Sequence, residues 1–351
     1  YFDKYNLIKM LFFSKFNIYV LQSFKGVSKN FQKNNKYRDK LKSHLPHKTK
    51  FQKFMKSTLT DDFPIIFLED FEKMNCCIEK EFLSLCDINT VVTSMPWLED
   101  DFFKIWIVKK YHNTKIIGVQ HGGNFGIYKY HDSDYLDIYF SNYYLSWGWA
   151  DKGDKKIINF GSTKLINKNK NKNKNKNKIL FLMTSYDSSF RKFGSCRTSD
   201  VDYFLNQEKF LINLSSSILP DIRIRPYNSK KKGSYIKLWE RYNSKVEIEE
   251  YDVKLVKSFE KCKLFICDHL STTYLEALTI NLPTILFWDS DSCVYSGVYK
   301  DEVKVYFKNL MDVGILHDSG KSAAQKVNDI YPNIDEWWFS PEVQSARKLF
   351  C

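Results

Sequence analysis

Short apolar runs alternate with amphipathic stretches along much of this chain. Residues 264–267 form a bounded apolar run, which is typical of a strand buried on both faces. The next apolar positions keep helical spacing: Tyr274, Leu275, Leu278 and Ile280. A second apolar run follows Pro283. Residues 263–288 therefore predict one βαβ unit, made of a strand, a polar turn, a helix and a second strand.

The same alternation occurs on both sides of a polar repeat. Before the repeat, a helix at 98–111 is predicted between strands at 88–93 and 115–120, with further strand candidates at 137–145 and 156–160. After it, the predicted strands are 178–183, 221–225 and 246–248, and the predicted helices are 202–218 and 235–242. Two or three helices are expected between residues 301 and 350. Strands alternating with helices favour parallel sheets.

This pattern predicts an α/β fold with two Rossmann-like doubly wound domains that face each other across a cleft. The expected organisation is an N-terminal α/β domain at 1–165, a low-complexity linker at 166–178, a C-terminal α/β domain at 179–320 and terminal helices at 321–351. The chain begins with Tyr1, and residues up to about 60 lack a clean strand and helix alternation. We therefore expect the N-terminal domain to be truncated.

Composition limits the classes of partner. The chain has 351 residues, 43% of them hydrophobic, and a formal net charge of +13. Residues 167–178 alternate strictly between Asn and Lys, and without their six lysines the charge falls to +7. This repeat has no apolar face to bury and predicts a solvated linker. The remaining positive charge suits anionic substrates or an anionic membrane surface, and no motif for specific nucleic-acid recognition is present.

Two further features indicate location. No run approaches the roughly 20 apolar residues of a membrane span. The eight cysteines include no C-x-x-C pair and no zinc-like spacing with histidine, which favours free thiols in a reducing compartment. The expected location is the cytoplasm, with peripheral contact at the inner face of the membrane.

The polar turn of the βαβ unit carries the first candidate site. Asp268, His269, Ser271, Thr272 and Thr273 lie where a helix begins at the carboxyl edge of a parallel sheet. Backbone N–H groups and the helix dipole favour an anion at such a position, so a phosphate-bearing ligand is expected. The competing interpretation is a capping box in which Thr273 and the residue three positions later, Glu276, satisfy backbone donors of the first turn. Both roles can share one helix end.

A second candidate follows the predicted strand at 115–120. His121 is expected at the carboxyl edge of that strand, and Gly122 and Gly123 allow a sharp turn and close approach to a ligand. An imidazole there can act as a general base. The alternative is a turn histidine bonded to nearby backbone.

Aromatic and basic pairs add two weaker candidates. Trp147 and Trp149 flank a glycine, so they suit either an aromatic wall for a sugar ring or ordinary packing. Arg223 and Arg225 have the period-2 spacing that places both guanidinium groups on one face of a strand. Arg225 suits forked hydrogen bonding to phosphate or carboxylate, and a solvated strand end is the alternative.

Together these motifs resemble a bacterial family of surface-sugar transferases first named from a spirochaete locus. The resemblance rests on Gln120-His-Gly-Gly123, Trp147-Gly-Trp149, Arg225-Pro-Tyr227, and the turn and helix from Asp268 to Ala277 with Asn281-Leu-Pro-Thr284. The family is similar to two-domain GT-B glycosyltransferases, and more distantly to capsule Kdo transferases, polysialyltransferases and CDP-glycerol glycerophosphotransferases. It implies a nucleotide-activated donor held by the C-terminal domain and an acceptor held by the N-terminal one.

The resemblance also implies roles for particular residues. Donor phosphate maps onto Ser271, Thr272 and Thr273, and contact with the nucleotide ribose maps onto Glu276. The His-Gly element of the N-terminal domain maps onto His121 and Gly122.

The expected function is transfer of a sugar from a nucleotide-activated donor to a surface glycan or a glycosylated protein, with His121 as the base. Asp289-Ser-Asp291 has the spacing of a metal clamp but follows a buried strand, so no metal and no other cofactor is expected. The rivals are transfer of an alditol phosphate such as glycerol phosphate, and a nonenzymatic relative that binds a glycan or a nucleotide. A third rival is nucleic-acid binding through the Asn-Lys tract.

Overall fold

The computed structural model of this chain describes residues 9, 12–15, 32–81, 88–94, 97, 100–151, 153–162, 165, 177–184, 200–226, 246–250, 253–288 and 299–349. Two compact units divide it. The first comprises Tyr1–Val119 with Phe140–Tyr143, and the second comprises Gln120–Tyr139 with Tyr144–Cys351.

The first unit begins with a group of helices: α1 (Asn35–His44), α2 (Lys50–Asp62), α3 (Ile65–Leu68) and α4 (Phe71–Glu81). A buried ion pair holds three of them together, because Arg38 of α1 donates from Nε to Oε1 of Glu69 at 2.7 Å, just after α3. The same guanidinium donates to the carbonyl oxygens of Thr60 at 2.8 Å and Phe63 at 3.0 Å, at the end of α2. All polar groups of this buried arginine therefore serve helix packing.

Four short strands follow along the chain: β1 (Thr90–Thr93), β2 (Lys115–Val119), β3 (Tyr143–Ser146) and β4 (Ile157–Asn159). The β1–β2 and β3–β4 pairs are parallel. Two helices connect these strands, α5 (Asp101–Lys110) and α6 (Asp132–Phe140).

A six-stranded sheet organises the rest of the second unit. Its strands are β5 (Lys178–Leu182), β6 (Ile222–Arg225), β7 (Glu247–Ile248), β8 (Cys262–Cys267), β9 (Thr284–Phe287) and β10 (Leu316–His317). Their order is β10-β9-β8-β5-β6-β7, and neighbouring strands are parallel. Counted along the sheet from β7, this is the order 3-2-1-4-5-6 of dinucleotide-binding folds.

Helices cover both faces of this sheet: α7 (Asp200–Ile212), α8 (Leu255–Glu260), α9 (Thr272–Thr279), α10 (Asp301–Asp312), α11 (Gly320–Ile330), α12 (Ile334–Trp338) and α13 (Pro341–Lys348). Alternate strand residues face opposite layers. Phe265 and Leu286 pack with Tyr274 and Leu278 of α9, whereas Ile266 packs on the opposite side with α7 and α11. The near-continuous apolar runs predicted for these strands follow from burial on both faces.

The structure confirms the predicted α/β class with parallel sheets. Two predictions were wrong. Four helices, α10 to α13, lie between residues 301 and 350, where two or three were expected. Residues 137–140 belong to helix α6, and the strand begins only at Tyr143. Period alone cannot separate a short helix from a strand in such a mixed run, and the buried Asp134 and Asp137 lie at helical spacing. The predicted domain boundaries stay a prediction.

Some predictions concern residues that are not described. These are the helix at 235–242, residues 166–176 of the linker, Tyr227, and the Asp289 and Asp291 pair. Among the described cysteines, Cys262 and Cys267 are buried free thiols, whereas Cys76 is exposed and Cys77 is half-buried. None of the helices in the described ranges combines the length and apolar character needed to cross a bilayer.

The carboxyl end of α9 is anchored by the last helices of the chain. Asn281 has φ of +57°, and its Oδ1 accepts hydrogen bonds from Trp338 Nε1 at 2.9 Å and Gln344 Nε2 at 3.1 Å. The buried Arg347 donates from Nη1 to the carbonyl oxygen of Leu278 at 2.7 Å. A cation and an αL residue at a helix carboxyl end satisfy carbonyl groups that the helix cannot pair itself.

Replacing Asn281 tests this anchor. We expect Asn281→Ala to lower the free energy of unfolding by about 1–3 kcal/mol, because Trp338 Nε1 and the half-buried Gln344 Nε2 each lose one of their acceptors, and alanine tolerates a positive φ less well than asparagine does. Asn281→Gly loses the same hydrogen bonds but accommodates the backbone, so it should be about 1 kcal/mol more stable than the alanine variant. Urea unfolding followed by circular dichroism measures both. Equal stability of the two variants would contradict a backbone cost at this position.

Candidate functional site

The site lies where the strand order of the six-stranded sheet reverses. From the central pair β5 and β8, the sheet continues through β6 and β7 on one side and through β9 and β10 on the other. Parallel sheets with this order bind ligands in the crevice at the carboxyl ends of the two central strands. Strand β8 ends at Cys267, and α9 begins at Thr272. The predicted polar turn is therefore at the ligand-binding edge of such a sheet.

Ser271 caps helix α9. Its backbone is extended, and its hydroxyl accepts a hydrogen bond from the backbone N–H of Thr273 at 3.2 Å. The alternative capping box of Thr273 and Glu276 is therefore wrong, because Thr273 is already the second residue of the helix. The chain enters the helix two residues earlier than that pattern assumed. Capping and the predicted anion binding thus involve the same short segment, as the sequence allowed.

A buried carboxylate lies directly beneath this helix start. The side chain of Asp268 is 1% exposed. Its Oδ2 accepts hydrogen bonds from the Tyr203 hydroxyl at 2.8 Å and from Nε2 of Gln207, both on α7. Its Oδ1 lies 2.8 Å from Nδ1 of His269. With both oxygens bound by protein groups, Asp268 orients His269, and its geometry does not favour direct contact with an anionic ligand.

His269 carries positive charge at this edge. Burial alone lowers the pKa of its imidazole, but the adjacent Cys267 and the hydrogen bond to Asp268 outweigh burial and raise the pKa to about 10. The Cys267 sulfur lies 3.6 Å from Nδ1, and Asp268 binds the same nitrogen. The other ring nitrogen, Nε2, is then the one that can donate to an anion.

The structure brings the His121 turn against α9. The backbone N–H of Gly123 donates to Oγ1 of Thr272 at 3.1 Å, and a Cβ on Gly123 would lie 2.6 Å from the carbonyl oxygen of Ser271. Neither Gly122 nor Gly123 has positive φ, so close approach explains Gly123 better than a sharp turn does. Next to this junction His121 is half-buried and packs edge-to-face on Phe125, with ring centroids 4.5 Å apart. The two constellations predicted separately from sequence thus lie against each other.

Gln120 connects this turn to the tryptophan loop. Its buried amide donates from Nε2 to the Gly122 carbonyl oxygen at 2.7 Å. Its Oε1 accepts from the Trp147 backbone N–H and from Trp149 Nε1, both at 2.8 Å. The sequence prediction missed Gln120, Tyr203 and Gln207 as site residues. Only the position of Gln120 beside His121 gave a signal, because the two α7 residues are more than 60 positions from Asp268.

Trp149 has extensive packing partners. Its ring lies next to Tyr144 and occupies the space that a Cβ on Gly126 would need. The Nζ atom of Lys300 lies 4.8 Å from the ring centroid. Trp147 is half-buried. The packing alternative therefore accounts for Trp149, and stacking of a sugar on Trp147 or Trp149 stays a prediction.

Arg225 lies in a different network. Its guanidinium donates to Glu249, to the Ser258 hydroxyl at 3.0 Å and to the Val253 carbonyl oxygen at 2.7 Å. Arg223 faces the same side, since its Nη1 lies 3.7 Å from Glu249. The predicted shared face is confirmed, but these bonds give Arg225 a structural role, and its contact with phosphate stays a prediction without support from the geometry. Glu276 is buried in α9, and its predicted ribose contact also stays a prediction.

The described ranges hold no group of three His, Cys, Asp or Glu side chains arranged to bind a metal ion. That the reaction needs no metal ion stays a prediction.

Fold and site together define an α/β protein with a doubly wound parallel sheet and a polar helix start at the carboxyl edge of its central strands. A family model identifies it further. The model of the LIC12162 family transferases matches residues 1–351, and this chain belongs to that family of transferases.

Other comparisons give weaker similarity. No curated protein matches the chain. Among solved structures it is similar to MnaA of S. aureus with UDP, at 12% identity and a TM-score of 0.45, over 78% of this chain and 73% of that one. The UDP-GlcNAc 2-epimerase of Methanocaldococcus jannaschii, in complex with UDP-GlcNAc and UDP, is 12% identical with a TM-score of 0.43, over 79% of this chain and 78% of that one. MurG of Acinetobacter baumannii is 11% identical with a TM-score of 0.40, over 78% of this chain and 72% of that one.

The two glycines of the His121 turn form a matched pair for testing the junction with α9. Gly123→Ala should lower the free energy of unfolding by roughly 1–3 kcal/mol, because its Cβ meets the Ser271 backbone. The Cβ of Gly122→Ala would lie 3.6 Å from Phe125, an ordinary contact, so this control should stay within about 0.5 kcal/mol of wild type. Urea unfolding compares them. A tolerated Gly123→Ala would show that the two segments do not approach this closely.

The charge on His269 predicts a pH dependence of stability. Since its folded-state pKa is raised from 6.5 to about 10, its contribution to stability is complete below pH 6.5 and is lost as pH rises toward 10. The difference in free energy of unfolding between wild type and His269→Gln should therefore shrink over that window. Urea titrations between pH 6 and pH 9.5 measure it. A constant difference would mean that the folded state does not favour the imidazolium.

Proposed function

We propose that this transferase moves a glycosyl group from a nucleotide-activated donor to a hydroxyl group of a surface glycan or a glycosylated protein. Family membership supports the transferase class. The donor and the acceptor are inferred from the chemistry of the site.

The donor phosphates are proposed to bind at the start of α9. Three features support this: the helix begins at the carboxyl edge of the central strands, Ser271 and Thr272 carry hydroxyl groups there, and His269 is held as an imidazolium. Backbone N–H groups, the helix dipole and a neighbouring cation each favour a phosphate. As the bond to the sugar breaks, negative charge grows on the leaving phosphate, so the same groups stabilise the transition state more than the ground state.

One observation carries the proposal: the hydrogen bond from Gly123 N to Thr272 Oγ1 fixes the His121 turn beside the start of α9. A general base must lie within reach of the acceptor hydroxyl while the donor phosphate is bound nearby. We assign this base to His121, which removes the proton as the acceptor oxygen attacks the sugar carbon. The proton passes to the imidazole, and the nucleotide leaves with the bonding electrons.

In this proposal no metal ion is needed, since the imidazolium of His269 and the dipole of α9 supply the positive potential. Turnover that is unchanged by a chelator would support it, and turnover restored only by a divalent cation would refute it.

Two rivals can be separated by experiment. Transfer of an alditol phosphate uses the same phosphate chemistry but adds a phosphorylated polyol to the acceptor, so the product mass differs. A nonenzymatic relative would bind the nucleotide without product. CMP-, CDP-, UDP- and GDP-linked donors are first compared by thermal stabilisation, because a ligand that prefers the folded state raises its melting temperature. The best donor is then incubated with candidate acceptors, and products are analysed by mass spectrometry.

The His121→Ala variant tests the assigned base. We expect kcat to fall about 10²- to 10⁴-fold with little change in the KM for the donor, because a general base acts in the transition state. The exposed His112 provides a matched control, and His112→Ala should leave both parameters unchanged. Unaltered turnover in His121→Ala, with normal folding by circular dichroism, would exclude His121 as the base.

A further inference from the structure

The helices of the first unit expose large aromatic side chains. Phe51 and Phe54 of α2 are 69% and 60% exposed, and Tyr37 of α1 is 53% exposed. Phe51 and Phe54 are three positions apart, so they share one side of the helix. Scattered single apolar residues on a surface need no explanation, but two phenylalanines on one helix turn form a patch.

The same segment is strongly basic. Residues 33–56 contain eight lysines and only one acidic residue, Asp39, and Arg38 there is paired with Glu69. Six of the lysines are exposed and are not within salt-bridge distance of a described acidic side chain: Lys36, Lys40, Lys42, Lys48, Lys50 and Lys53. The Nζ atom of Lys33 lies 3.4 Å from Asp61. Asp61 and Asp62 are the acidic residues of α2, and both lie at its carboxyl end. We call Tyr37, Phe51, Phe54 and these six lysines the basic aromatic face.

The buried clamp around Arg38 keeps this face outward. Arg38 binds the carbonyl oxygens of Thr60 and Phe63 and the carboxylate of Glu69, so the end of α2 is fixed by its polar backbone groups. At its other end, Thr49 and Gln52 form a capping box. Rotation of α2 to bury Phe51 and Phe54 would break the hydrogen bonds from Arg38 to the carbonyl oxygens at its carboxyl end.

We propose that the basic aromatic face binds the surface of an anionic phospholipid bilayer. Helix α2 would lie in the plane of the interface, with its aromatic rings at the boundary of headgroups and acyl chains and its lysines against the lipid phosphates. A lipid interface satisfies both halves of this surface at once, since long lysine stems reach the phosphates beside inserted rings. This binding is separate from the donor chemistry proposed above.

The test is vesicle flotation of the full chain. Wild type should float with vesicles of phosphatidylcholine and phosphatidylglycerol and remain unbound with phosphatidylcholine alone. Near an anionic surface each lysine contributes about fivefold in partitioning, so Lys50→Gln with Lys53→Gln should weaken binding roughly 25-fold. Phe51→Ala with Phe54→Ala should weaken it at least about tenfold.

Matched controls lie outside residues 33–56. Phe160 and Phe339 are 56% and 55% exposed, so Phe160→Ala with Phe339→Ala removes similar exposed area, and Lys308→Gln removes an exposed charge. These variants should float like wild type. Circular dichroism and thermal unfolding establish that every variant is folded, and the thermal shift with the best donor should be unaffected by the lysine and phenylalanine pairs.

Three results would overturn the proposal. Equal flotation with uncharged vesicles would remove the electrostatic contribution. Equal flotation of the Phe51 and Phe54 double variant would remove the aromatic contribution. The third result concerns an oligonucleotide added without vesicles. If it binds the wild type more tightly than the anionic vesicles do, and both pairs of substitutions abolish that binding, the basic aromatic face is a nucleic-acid-binding surface.

Discussion

The close approach of the Gly123 backbone to the start of α9 is the contact on which the site depends. It joins residues 149 positions apart in the chain, and its geometry leaves no space for a side chain at position 123. Without it, the His121 turn and the polar turn after β8 would be two separate loops, each with an ordinary structural explanation. With it, an imidazole is placed beside a helix start that favours anions, and a reaction between two substrates becomes geometrically reasonable.

A second constraint is the buried charge of Asp268. An isolated carboxylate with 1% exposure would cost several kcal/mol, and the fold offsets this with hydrogen bonds from Tyr203, Gln207 and His269. The compensation has a functional consequence. The carboxylate of Asp268 favours the protonated imidazole of His269. The positive charge that stabilises the buried aspartate therefore also lies at the edge of the sheet. Stability and ligand electrostatics are therefore coupled in one pair of residues.

The sequence was sufficient where structure is local. The unit of β8, α9 and β9 was predictable because buried strands and a short amphipathic helix leave clear apolar patterns, and the polar residues between them marked the turn that leads into the helix. It failed at residues 137–140, where a strand was predicted and the chain is helical, because a brief mixed run fits either period. Partners far apart in the chain were also hidden. Nothing local to Arg225 indicates that Glu249, 24 positions away, occupies its guanidinium, and nothing near Asp268 indicates Tyr203.

Helix α9 is held at both ends before any ligand binds. At its start, Ser271 caps the helix, and Oγ1 of Thr272 accepts a hydrogen bond from the Gly123 N–H. At its end, Asn281 accepts a hydrogen bond from Trp338 of the terminal helices, and Arg347 donates to the Leu278 carbonyl oxygen. Residues fixed in this way have little conformational entropy left to lose, so the free energy of ligand contacts is not spent on ordering the helix. The C-terminal helices lie far from the polar turn in sequence, yet they contribute to it by keeping the other end of the same helix in place. We therefore expect changes at Asn281 or Arg347 to weaken the proposed phosphate binding through the orientation of α9, even though neither residue is expected to contact the ligand.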